Sequence, residues 1–334
     1  KEIAKHLNTN HTELYFSHND AINIIPNITQ VYDEPFADSS QLPTILISNL
    51  TKKHVKVSLS GDGGDELFGG YNRYLKGPKL WNLINSMPFF LKNSSSYFLN
   101  KISNSNYNGI EKIINLFLSN NKKINFLGTK MKRLSYRLNN INSRNQLYMS
   151  LVTEWSNSND IVINSKEPYN FLSQNSDLSF LDNFEQEMMY SDTLSYLPDD
   201  ILTKVDRATM SVGLESRSPF LDHKIVELAW MINDRFKIRE GVGKIILRDI
   251  LYKYVPKNLI ERPKQGFGIP LASWLRGPLK DWANDLLNVD KLKSENYFDY
   301  KLVRKRFESH LKGENNWEHS LWSILMFQAW NENN

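Results

Sequence analysis

The feature that most constrains this chain is the stretch Val55–Tyr74, V-K-V-S-L-S-G-D-G-G-D-E-L-F-G-G-Y-N-R-Y. Val55, Val57 and Leu59 alternate with Lys56 and Ser58, the period-two pattern of a short strand. The pattern breaks at Ser60, and five glycines fall between Gly61 and Gly70. The strand therefore ends in a loop whose backbone is free to take positive φ and to bring N–H groups close to an anion. Asp62, Asp65 and Glu66 add hard oxygen donors suited to Mg2+. A tight turn with solvated carboxylates uses the same residue types. The spacing does not fit an EF-hand calcium loop, nor the further glycine spacing of a dinucleotide or kinase loop.

The flanking sequence predicts the scaffold. Thr12–Phe16 reads as a strand, Asp20–Tyr32 as a helix with Ile22, Ile25, Ile28 and Val31 inward and a kink at Pro26, and Leu42–Leu50 as a second helix. Strand, helices and strand in this order predict an α/β fold, a parallel sheet with helices on both faces. Ligands of such sheets bind beyond the carboxyl ends of the strands, where Ser60–Gly70 falls. Three parts are expected: residues 1–78 in the α/β core, 79–184 as a variable helical insertion, and 185–334 as a mostly helical part completing the site. Trp81, Phe89, Phe90 and Tyr97 read as core of the insertion.

Glu185–Met210 reads as helix interrupted at Pro198, dense in Asp199, Asp200, Lys204, Asp206 and Arg207; a salt-bridged, solvated face accounts for such density. Arg217–Asp222 breaks the chain before a helix with Ile225, Leu228 and Ala229 on its apolar side. Gly241–Gly243 then delivers Lys244 to a helix start, a placement that the helix dipole disfavours. Either the lysine is exposed or an anion compensates it. Lys264–Gly268 is a basic loop, and Trp274, Trp282, Trp317, Trp322 and Trp330 mark packed helices.

Among 334 residues, 41 basic against 37 acidic side chains give a net charge of +4 without a dense basic block, which speaks against nucleic-acid binding. No apolar run reaches the roughly 18 residues of a membrane span, and a cytoplasmic location is expected. The absence of cysteine excludes disulfides and thiol nucleophiles from the chain.

Four blocks together resemble the asparagine synthetase family: D-E-P-F-A-D-S-S-Q-L-P-T (Asp33–Thr44), S-G-D-G-G-D-E-L-F-G-G-Y (Ser60–Tyr71), L-P-D-D-I-L-T-K-V-D-R-A-T-M-S-V-G-L-E-S-R-S-P-F-L-D (Leu197–Asp222) and K-Q-G-F-G-I-P (Lys264–Pro270). The resemblance implies an adenine nucleotide alpha hydrolase-like synthetase domain. Its chemistry is ATP-dependent amide formation: aspartate and ammonia, the latter from glutamine in the whole enzyme, give asparagine, AMP and diphosphate through a β-aspartyl-adenylate. Amidation of another carboxylate, such as a uronic acid, and a scaffold without activity are the alternatives. By the same resemblance Ser60, Gly61 and Gly63 contact ATP, Asp65 ligates Mg2+, and Asp62 acts in adenylate formation and amine handling. Lys244 stabilises charge on the phosphates, and Arg207, Glu215 and Arg217 border the substrate. Phe267 lies in an active-site loop.

Two family features have no counterpart here, the S-G-G-x-D-S pyrophosphate loop and the N-terminal glutaminase domain with its cysteine nucleophile. Lys1 is not a methionine, and the expectation is an N-terminally truncated synthetase domain that binds ATP weakly and turns over little by itself. A homodimer is left open.

Overall fold

The computed structural model describes residues 1–103, 111, 126–155, 158–166, 178–261 and 268–333. The chain divides into two compact units, one made of Lys1–Leu75, Ser176–Trp274 and Trp322–Asn334, the other of Lys76–Asn175 and Leu275–Leu321.

In the first unit, helix α1 (His18–Tyr32) starts at a capping box. The Ser17 side chain accepts from the Asp20 N–H, and the Asp20 carboxylate accepts from the Ser17 N–H at 2.6 Å. The helix runs through Pro26, buries Ile25, Ile28 and Tyr32, and stops at Asp33 in a left-handed conformation. Helix α2 (Gln41–Lys52) carries Pro43 in its first turn, where a missing N–H is tolerated, and buries Leu42 and Ile45. Strand β1 (Val57–Leu59) follows, then the short helix α3 (Gly64–Phe68). Across the gap in sequence come α4 (Phe184–Leu194), a π-helical turn (Leu197–Leu202), α5 (Thr203–Met210), strand β2 (Glu215–Arg217), α6 (His223–Met231) and α7 (Ile245–Leu251).

The sheet corrects the sequence expectation. Among the described residues it is a two-stranded parallel pair, β1 with β2 in the register Val57↔Glu215, Ser58↔Ser216 and Leu59↔Arg217, within a mostly helical unit. Thr12–Phe16 is not a strand: among the described residues it joins no ladder, and Leu14 and Tyr15 are exposed, with Phe16 packed edge-on against Trp274. A further two-stranded antiparallel ribbon, Ile238–Arg239 with Val242–Gly243, leads into α7.

The core beneath the glycine loop is formed by Leu67 and Phe68 of α3 and Ala229 of α6, with Phe220, Ile225, Val226, Trp230, Ile232, Ile246 and Leu247 packed around them. Leu228, expected on the inward side of α6, is half exposed instead.

In the second unit the helices Phe89–Ser103 and Leu127–Asn140 meet at two small buried residues, Ser96 and Ser135, whose hydroxyls each donate to the other's carbonyl at 3.1 and 3.0 Å. That contact sets the buried face of Phe89–Ser103. Phe90 and Tyr97, seven residues apart on a neighbouring face, and Phe89 in the first turn are exposed, against their expected place in the core; Trp81 is half-buried. Elsewhere in this unit Arg306 is sandwiched between Trp155 and Trp317, 3.8 and 4.5 Å from the ring centroids. Among the described residues no helix is long and apolar enough to cross a membrane.

Candidate active site

Beyond the carboxyl end of β1, Ser60 is held to the neighbouring strand by its N–H, which donates to the Arg217 carbonyl at 2.9 Å. The chain then turns through Gly63 at φ +84°, a left-handed conformation that a side chain adopts only under strain. Ser218, just past β2, donates its hydroxyl to the Asp62 carbonyl. The loop is thus fastened from the β2 side at two points.

Helix α3 assigns the two adjacent acids to opposite environments. Asp65 faces outward, and its Oδ1 lies 3.1 Å from Lys244 Nζ. Glu66 faces inward, buried, accepting from the Tyr71 hydroxyl at 2.7 Å. Burial, only partly offset by that hydrogen bond, pushes the Glu66 pKa up. Glu66 is therefore a core residue and not the exposed oxygen donor that its sequence position suggests. Beside it, Asp192 accepts from Arg73 Nε at 2.7 Å and from the Tyr74 hydroxyl, and the Arg73 guanidinium lies 4.1 Å from the centre of the Tyr71 ring. Burial raises the pKa of Tyr71 and Tyr74, which stay protonated donors.

Lys244 arrives as the sequence predicts, at the cap position of α7, in a left-handed conformation at φ +59°. Its N–H donates to the Phe68 carbonyl at 2.9 Å, tying the start of α7 to the end of α3. Close approach of two glycine segments makes this contact: a Cβ on Gly243 would fall 2.0 Å from the Gly69 carbonyl oxygen. The unfavourable charge at a helix start is met by Asp65.

A cleft of about 450 Å³ opens beside the loop, lined by Ser60 and Asp62, by Pro198, Leu202 and Thr203, by Val205, Asp206 and Arg207, and by Ser216, Ser218 and Leu221. Of the residues named from sequence, Ser60, Asp62 and Arg207 meet here, and Arg207 also pairs with Asp33 at 2.9 Å. Asp65 and Lys244 form their own pair one turn further along. Glu215 and Arg217 are exposed and paired with each other at 2.7 Å, on the face of β2 opposite Ser216, and they do not line the cleft. A methyl group at Gly61 would meet no neighbour within 4 Å, so nothing crowds this position. Phe267 lies outside the described residues. The sequence reading missed Ser216, Ser218 and Asp206 as lining residues; β2, Glu-Ser-Arg, has no apolar residue whose alternation could have pointed to the two serines.

Behind the cleft, Lys204 is buried and donates to Asp38, with Asp200 Oδ1 3.7 Å away, while the Tyr32 hydroxyl donates to the Lys204 carbonyl at 3.2 Å. This resolves part of the charge density of Leu197–Arg207 into a buried network and not a solvated face. Burial pushes the Asp200 pKa up to about 7, helped by the neighbouring Asp38 charge. For Asp38 burial acts in the same direction, but the Lys204 ammonium and the Ser40 N–H and hydroxyl overcome it and hold the carboxyl below its usual range.

A parallel strand pair ends in a glycine-rich loop, with Asp62 and Arg207 around a cleft at its carboxyl end and the Asp65–Lys244 pair beside it, the place where α/β folds bind ligands. The sequence pattern of the asparagine synthase family matches residues 1–332. The chain is 27% identical over 340 aligned residues to asparagine synthetase [glutamine-hydrolyzing] 1 of Bacillus subtilis, covering 100% of this chain and 49% of that protein. It is 28% identical over 333 residues to a putative asparagine synthetase [glutamine-hydrolyzing] of Mycobacterium bovis, covering 98% of this chain and 47% of that protein. A shorter match, 41% over 92 residues, is to putative asparagine synthetase [glutamine-hydrolyzing] 2 of Methanocaldococcus jannaschii, covering 28% of this chain and 18% of that protein. The chain belongs to the asparagine synthase family. It spans about half the length of the first two of these relatives.

Proposed function

We propose that this chain is the amide-forming part of a ligase that activates aspartate with ATP and passes the acyl group to ammonia. The observation that carries the reading is the placement of Ser60, Asp62 and Arg207 around one cleft, with Asp65 of the adjoining helix α3 paired to Lys244 at the start of α7. The ring of acid, lysine and arginine suits a polyphosphate and a carboxylate together.

A carboxylate oxygen is a poor leaving group, so activation comes first. The aspartate side-chain carboxylate attacks the α-phosphorus of ATP, and the bond to the bridging oxygen breaks to release diphosphate. Lys244 balances the negative charge that develops on the phosphates and on the departing diphosphate. Ser60 and Gly61 contact the nucleotide at the end of β1, and Gly63 gives the loop its turn. Arg207, which holds Asp33 in the structure, is the cation for a substrate carboxylate; Glu215 and Arg217, paired with each other on the opposite face of β2, have no part in this reading. Ammonia then attacks the acyl carbon; AMP leaves with the original carboxylate oxygen, and the nitrogen loses a proton, for which Asp62 is the nearby acceptor.

For Mg2+, the donor set fits in one way. Among the described residues no group of three or more His, Cys, Asp or Glu could hold a metal with protein ligands alone. Mg2+ in phosphate-transfer sites takes one or two carboxylates together with substrate phosphates, and Asp65 is such a carboxylate. Bound there, the ion would neutralise phosphate charge.

The test is a screen of carboxylic acids for acid-dependent AMP release by the gene product that carries this chain, with ammonia or glutamine supplied. Aspartate as the acid that supports both AMP and amide formation is the expected result. Activity with a sugar acid and none with aspartate overturns the assignment of the acceptor.

A further inference from the structure

We infer that Asp65 and Lys244 form an interlock that admits a divalent cation and a polyphosphate together and resists either one alone. The inference rests on the reading of this loop as an ATP site and specifies its ligand as the metal–polyphosphate complex.

The two side chains are 28% and 33% exposed and 3.1 Å apart, so in the ligand-free protein each supplies the other's counter-charge. Neither is free to swing away with its backbone. Asp65 sits in α3, with its carbonyl accepting from the Gly70 N–H at 2.8 Å, and the Lys244 N–H is bound to the Phe68 carbonyl. Gly70 is the space that the pair occupies: a Cβ there would lie 1.9 Å from Asp65 Oδ1 and 2.3 Å from Lys244 Cε. Lys244 is moreover kept in a left-handed backbone conformation, which a lysine adopts only when its surroundings impose it.

The electrostatic consequence is direct. A lone cation approaching Asp65 meets the Lys244 ammonium within a few ångströms, and a lone phosphate approaching Lys244 meets the Asp65 carboxylate. A metal–polyphosphate complex exchanges both partners in one event. The metal becomes the counter-ion of Asp65 and the phosphate that of Lys244, and neither charge is left unmatched. The pair thereby selects the complexed over the free form of either ligand.

The experiment measures single-ligand binding. Mn2+, a spectroscopic substitute for Mg2+ at carboxylate sites, is titrated by electron paramagnetic resonance into the wild-type chain, Lys244→Met, Lys244→Gln, Asp65→Asn and the double variant Asp65→Asn/Lys244→Met. Metal-free diphosphate is titrated by calorimetry into the same set, and circular dichroism confirms folding. The expected result is Mn2+ binding about tenfold tighter in both Lys244 variants than in the wild type, within the usual range of coupling between sites. Diphosphate binding rises similarly in Asp65→Asn, and both gains vanish in the double variant. Lys244 variants that bind Mn2+ no better than the wild type, or a gain that survives in the double variant, overturn the interlock. A parallel titration of the gene product that carries this chain, with and without the same substitutions, with Mg·ATP separates the two levels. If neither substitution weakens Mg·ATP binding, the ATP-site reading fails with the interlock; if both weaken it without the single-ligand gains, only the interlock fails.

Discussion

Asp200 carries an acid with a pKa near 7 a few ångströms from a buried lysine, and that combination makes stability depend on pH in a defined direction. Because the folded-state pKa lies above the ordinary value of about 4, the folded protein holds a proton there that the unfolded chain releases. The group's contribution is fully present below about pH 4 and is lost as pH rises through 7. Asp200→Asn, which cannot ionise, removes the loss. Urea unfolding at pH 5 and pH 8 should show the wild type losing stability relative to the variant, by up to about 1.4 kcal/mol per pH unit below pH 7; parallel profiles would contradict the assignment. A second residue-scale prediction concerns Gly70. Replacement by Ala in the gene product that carries this chain places a methyl group on the Asp65–Lys244 pair and should weaken that protein's Mg·ATP binding at least about tenfold, roughly 1.4 kcal/mol, as read by calorimetry. Asp65 and Arg207 were singled out in the sequence because they fall in blocks that resemble a family pattern, and Lys244 because the Gly241–Gly243 turn delivers it to a helix start. The burial of Glu66 was not, since nothing in G-G-D-E says which acid a five-residue helix turns inward; that depends on Tyr71 and the core around Leu67 and Phe68.

At the scale of elements, the site depends on how firmly α3 and the loop before it are fixed. Leu67 is almost completely buried, and Leu67→Ala should cost about 2–5 kcal/mol of stability, measured by chemical denaturation. Ser218→Ala removes only the hydroxyl that donates to the Asp62 carbonyl; it should cost about 1 kcal/mol of stability while weakening ATP binding more than its stability loss accounts for. Equal ATP affinity in this variant would show that the β2 side does not set the loop. The helices were well announced: the apolar spacing of α1 and α2, the Pro198 interruption between α4 and α5, and the turn delivering Lys244 all appear where the pattern puts them. The sheet was not. β2 is Glu-Ser-Arg, without one apolar residue, so it carries no strand signal and is found only as the parallel partner of β1 more than 150 positions earlier. Thr12–Phe16 fails in the opposite way, with strand-forming residue types but no ladder to join among the described residues.

At the scale of the molecule, the cleft, the glycine loop, the lysine and the arginine all belong to one of the two compact units, assembled from three separate stretches of chain. The family membership extends over nearly the whole sequence, and the S-G-G-x-D-S block that the family resemblance calls for is not within it. The account therefore expects the 334-residue chain by itself to bind ATP weakly, with a dissociation constant near or above about 1 mM; tight binding in calorimetry would show that the residues present suffice.

The central claim is adenylation of a carboxylate, and oxygen transfer tests it most directly. The gene product that carries this chain is incubated with ATP, ammonia and aspartate labelled with 18O in its side-chain carboxylate, and the nucleotide product is examined by mass spectrometry. Attack of the carboxylate on the α-phosphorus leaves one labelled oxygen in AMP, with diphosphate unlabelled. Label in inorganic phosphate with ADP as the nucleotide product, or amide formation with unlabelled AMP, would contradict it.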